Sequence, residues 1–176
     1  MPVIDPALAL WSLLIVVILV PIQATAEELV YRGLFMQSLG AWLGEVRGAS
    51  AFASFVRGPW LPIAVPALAF GFSHIYDFWG WAAVVAMGVA TGWVSWRTGG
   101  LEAAISLHVV NNLVAFSLMS AGLGGQTAQT SDAGGPGSLV GPVIGLVLYV
   151  WWVDRDFRRR DGRRVRIDVV ERRLSA

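Results

Sequence analysis

The chain has 176 residues, 56% of them hydrophobic and 14% charged, with a net charge of +1. A soluble domain usually carries about a quarter charged residues to cover its surface, so an ordinary water-soluble domain is excluded and lipid is the expected solvent. There is no cysteine, which excludes disulfides and thiolate metal sites.

The hydrophobic runs define the elements. A helical span of a bilayer needs roughly 20 mainly apolar residues. Residues 7–20 are almost purely apolar and meet Pro21; Glu27, Glu28 and Arg32 interrupt, and residues 33–43 are apolar again. Residues 4–43 read as one long helix, kinked near Pro21. Ala24-Thr25-Ala26 has the form of a signal-peptidase site. However, no basic segment precedes it, and Asp5 stands where Arg or Lys belongs. Further spans are expected at 60–75, 80–96, 101–118 and 139–153, for an all-α transmembrane bundle of about five helices. The linkers are 44–59, 76–79, 97–100 and 121–137, the last rich in Gly, Ser, Thr and Gln. Residues 1–153 form the membrane domain, and 154–176 an Arg-rich tail. Gly88 and Gly92 make a G-x-x-x-G pattern, which predicts close packing on a neighbour, in this chain or in a second copy.

Charge sets the orientation. All 13 basic residues are Arg, and nine of them fall between Arg155 and Arg173. The positive-inside rule then places the C-terminus in the cytoplasm, where the arginines also meet anionic headgroups. Counting back across five spans puts Arg97, Arg57 and Arg47 on the same side. The opposite loops hold Asp77 and Asp132 but no Arg. The same count puts the N-terminus outside, which points to a segment missing upstream of Met1. The nine Trp residues suit membrane–water boundaries. No nucleic-acid role is expected of the tail.

Ionisable groups inside a membrane are costly, about 2.5 kcal/mol or more on insertion scales, and mark function by default. Here they recur at helical spacing. Glu28 and Arg32 are four apart, share a face and can pair. Glu27 is turned about 100° away, without a partner on its own helix. Phe70 and His74 are four apart on the second span, and His108 and Asn112 on the fourth, which also carries Asn111. If these helices converge, a Glu, two His and an Asn meet in one pocket. A carboxylate among apolar neighbours can serve as general base, a neutral His can hold water or carry a proton, and His with Asn can donate to an oxyanion. Ser73 and Ser106 lack a G-x-S-x-G elbow, and H-E-x-x-H is absent. A small transporter or proton relay would need polar lining toward both faces, and the Asp77 side has little. A non-enzymatic immunity or scaffold protein is the other alternative.

Glu27, Glu28 and Arg32, then Phe70 and His74, then His108 and Asn112, form E-E-x-x-x-R, F-x-x-x-H and H-x-x-x-N in that order over about 85 residues. On apolar helices this set resembles the CAAX prenyl protease and bacteriocin-processing (CPBP, or Abi) family, over roughly residues 21–118. The resemblance implies a glutamate-dependent endopeptidase working inside the membrane, usually with further spans upstream. Glu27 would activate water with help from His74. His108 and Asn112 would stabilise the oxyanion, and Glu28 with Arg32 would form a supporting ion pair. No cofactor is implied. Zinc is the alternative, but it normally takes three or four ligands and Asn112 would be a poor one. The expected partners are the bilayer of the cell membrane and a membrane-associated peptide or protein. The Lys-free, Arg-rich composition looks bacterial, which favours a small peptide or anchored protein over a prenylated one.

Overall fold

A chain in lipid has no water to satisfy its backbone, so apolar segments must bond internally as helices or closed barrels. The computed structural model describes residues 6–121 and 136–160, and every regular element among them is helical. Asp132 and most of the arginine tail lie outside the described residues. Helix α1 (Pro6–Glu28) passes through Pro21, runs into a π-helical segment (Leu29–Phe35) and continues as α2 (Met36–Gly44). Then come α3 (Ala51–Val56), α4 (Trp60–Phe72), α5 (Phe78–Thr98), α6 (Glu102–Ser120) and α7 (Pro136–Arg160).

The first rod explains its own irregular turn. Its buried residues are Val20, Ala24, Glu28, Arg32 and Met36, each four from the last. In an α-helix a step of four overshoots a full turn by about 40°, so over this stretch the stripe would swing about 160° around the rod. A π turn closes i→i+5 and is wider, so it swings the stripe back. The π-helical irregularity therefore begins at Leu29, where the buried stripe needs it, while α1 continues through Pro21. Ala24, inside the signal-peptidase-like tripeptide, is fully buried in α1.

Three helices among the described residues are long and apolar enough to cross a membrane: Ala7–Gly44, Phe78–Thr98 and Glu102–Ser120. Helix α4 is apolar but has 13 residues, about 20 Å at 1.5 Å per residue. Helix α7 runs for 25 residues, through the expected fifth span and into the first arginines. The linker at 44–59 is more ordered than expected. Ser50 caps α3 by accepting from the Ala53 amide at 3.1 Å. Arg57 donates to the carbonyls of Val46 and Gly48, both at 2.9 Å, and Gly48 takes a φ of 124° that favours glycine.

Helices consecutive in the chain alternate in direction, while α5 and α7 pack side by side in the same direction. A Cβ on Gly88 would lie 2.9 Å from the Ala67 Cα, and one on Gly92 would lie 3.2 Å from Ile63. Helices α4 and α5 therefore run antiparallel and nearly backbone to backbone. This answers the question left by G-x-x-x-G: the neighbour is α4 of the same chain. A Cβ on Gly40 would meet Pro62 at 3.6 Å, and one on Gly33 would meet Leu101 at 3.3 Å. Arg97 at the end of α5 bonds Asp154 on α7 at 2.6 Å. The ends of α2 and α5, the starts of α4 and α6 and the Arg-bearing end of α7 thus gather at one end of the bundle. Burial is the reverse of a soluble protein's. The largest fully buried side chains include Arg32, Phe70, His108 and Glu28, while Leu8, Ile18, Leu19 and Ile22 are exposed.

Candidate active site

Glu28 ends α1 on its buried stripe. Its Oε1 accepts from Arg32 Nη1 at 2.8 Å and lies 2.7 Å from His108 Nδ1. All three side chains are at most 1% exposed. A carboxylate can only accept, so His108 Nδ1 carries the proton and donates. This bond ties α1 to α6 across 80 residues of sequence. The Arg32 guanidinium also lies over the Phe70 ring, 4.8 Å from its centroid, where the ring face attracts a cation. Phe70 is fully buried. Its ring meets His74 edge-on at 4.7 Å, Tyr31 at 5.1 Å and His108 at 5.6 Å. One aromatic side chain thus packs against both histidines and the arginine.

Glu27 is a quarter exposed and faces away from that stripe. The sequence expectation left it unpartnered on its own helix. The structure corrects this: Gln23, one turn earlier, donates Nε2 to Glu27 Oε1 at 2.8 Å. The other oxygen, Oε2, is buried and has no hydrogen-bond partner among the described residues. It sits 3.5 Å from His108 Nε2.

His74 lies just beyond the last turn of α4, not within the span as expected. Its Nδ1 is 2.8 Å from the Phe70 carbonyl and 3.3 Å from Ser73 Oγ. The carbonyl accepts, which leaves the lone pair on Nε2. Tyr76 stacks on the imidazole at 6.0 Å, with 18° between the ring planes. Asn112 stands one turn beyond His108, and its Oδ1 accepts from Asn111 Nδ2 at 3.2 Å.

A cavity of about 210 Å³ lies beside the two histidines and Asn112. Gln23, Phe70, His74, His108 and Asn112 line it, and Leu146 of α7 helps to close it. A larger apolar groove of about 540 Å³ runs between α5 and α7, away from both histidines. The structure thus brings Glu28, Arg32, Phe70 and His108 into direct contact, puts Glu27 against His108, and sets His74 and Asn112 on the cavity wall. Sequence reasoning missed Gln23, Tyr31 and Tyr76. Gln23 had a signal, since it is polar within an apolar run and four before Glu27. Tyr76 had none.

The set can polarise a water, hold it and donate to a developing oxyanion. Among the described residues no group of three His, Asp or Glu side chains is arranged to hold a metal ion.

Residues 6–114 match the model of a family described as Type II CAAX prenyl endopeptidase Rce1-like. No curated protein and no solved structure matches the chain.

Proposed function

Because the chain belongs to the Rce1-like family of type II CAAX prenyl endopeptidases, we propose that it is an intramembrane endopeptidase in which Glu27 activates water. The peptide bond it cleaves belongs to a membrane-associated peptide or protein. The observation that carries this reading is the Glu27 carboxylate itself. One oxygen is held by Gln23, and the other is buried, unbonded among the described residues and 3.5 Å from His108 Nε2.

A water donating to Glu27 Oε2 gives up its proton as its oxygen attacks the scissile carbonyl. The proton then goes to the amine as the C–N bond breaks. His74 lines the cavity that His108 also lines, with its Nε2 lone pair available, which suits it to hold the water or carry the proton. Asn112 supplies an amide donor for the oxyanion. His108 donates Nδ1–H to Glu28, so its neutral ring offers a lone pair at Nε2. It joins the oxyanion site only when doubly protonated, and otherwise orients the water. Glu28 and Arg32 fix that ring and touch no substrate. No step passes through a metal. The arginine-rich end of the bundle faces the cytoplasm in this reading.

The test is purified protein in bilayers against a library of quenched peptides, wild type beside Glu27→Gln, with and without chelator. Wild-type cleavage that Glu27→Gln abolishes and chelator leaves unchanged is the expected result. Cleavage that survives Glu27→Gln removes Glu27 as the base. A wild-type protein inert toward every peptide, and toward membrane-anchored substrates, favours a non-enzymatic scaffold.

A further inference from the structure

Gln23 belongs to none of the three motifs, yet it touches both the general base and the cavity. It sits at the fourth position before Glu27 on α1, within a run that is otherwise almost entirely apolar. It donates to Glu27 Oε1 at 2.8 Å and lines the 210 Å³ cavity. A Gln–Glu pair on a helix surface is ordinarily a small local stabilisation of a few tenths of a kcal/mol. Two features set this one apart. The carboxylate it holds has its other oxygen buried beside His108 with no partner among the described residues. In addition, the neighbouring Glu28 is held at Oε1 by Arg32 and His108, whereas the hydrogen bond that holds Glu27 comes from Gln23.

We infer that Gln23 is a positioning residue for the general base. It pins Oε1 so that Oε2 keeps its buried place beside His108. The inference rests on the proposed role of Glu27 and deepens it. Gln23 itself handles no proton in the reaction.

Three variants separate this from a packing role. Gln23→Met keeps the length and apolar bulk but has no donor. Gln23→Lys keeps a donating nitrogen within reach of Glu27. Glu27→Gln reports on the base itself. A hydrogen bond to a charged group is worth enough that its loss should lower kcat about tenfold or more. Gln23→Met is therefore expected to lose kcat with KM unchanged, and Gln23→Lys to recover most of it. Wild-type kcat in Gln23→Met overturns the inference. If Glu27→Gln still cleaves, the reading of Glu27 as base falls first and takes this inference with it.

Discussion

At the scale of single residues, the buried ion pair sets the strictest constraint. Arg32 is 1% exposed, and its bonded partner is Glu28. Removing one partner of a buried pair strands the other charge, at a cost of about 3–5 kcal/mol. Glu28→Ala is therefore expected to lower the thermal midpoint in detergent sharply and to cut the yield of folded protein. Glu28→Gln, which still accepts from Arg32, should lose much less. Much of this was legible in the sequence. The spacing of four between Glu28 and Arg32 puts both on one face, and an ionisable pair in a span has little choice but to meet. The bond from His108 to Glu28 was not legible, because no periodicity says which faces of two distant helices meet. The partner of Glu27 left a signal, a Gln four residues earlier in an apolar run, but nothing in the sequence shows whether that carboxylate has other donors.

At the scale of elements, backbone proximity between α4 and α5 is the sensitive contact. Helices in lipid gain little from apolar association and rely on close packing. Gly88 has no room for a side chain against Ala67, whereas Gly141 on α7 has nothing within 4 Å of a built Cβ. Gly88→Val is expected to cost about 1–3 kcal/mol through overpacking, read as a lowered thermal midpoint. Gly141→Ala should be neutral or slightly stabilising, since alanine lowers the entropy of the unfolded chain. The three long apolar helices and the shorter apolar α4 follow from hydropathy alone. The π-helical segment does not, although the residues that demand it were in view: a polar and small stripe at a strict spacing of four cannot stay straight on an α-helix. The short α3 was hidden because its ordering comes from Arg57 reaching back to carbonyls nine and eleven residues away.

At the scale of the whole molecule, Asp154 fastens the Arg-rich end of α7 to α5. It accepts from Arg97 at 2.6 Å and also pairs with Arg158, while Arg97 stacks on Phe157 at 4.7 Å. Burial pushes the Asp154 carboxyl up, but the hydrogen bonds from Arg158 and Arg97 outweigh it and hold it below the usual carboxylate range. A carboxyl whose folded value lies below its unfolded one contributes stability above the unfolded value and loses it as pH falls through the folded one. The stability difference between wild type and Asp154→Asn should thus be largest near neutral pH. It should close below about pH 4, and thermal unfolding in detergent across that range checks it. The shared end of Arg97 and the tail was legible from charge. The contact itself came only with the three-dimensional arrangement.

The inverted burial has one more consequence. In a water-soluble enzyme a greasy interior supplies cohesion, and a few polar groups at its edge supply reactivity, so the two can be damaged separately by position. Here Arg32, Glu28 and His108 are the buried fastener, and in the proposed function they also hold the reagents. Under the proposed function, drift that erodes catalysis at those positions would erode assembly with it, so a descendant that gave up the proposed proteolysis could discard Glu27 long before it could discard Glu28.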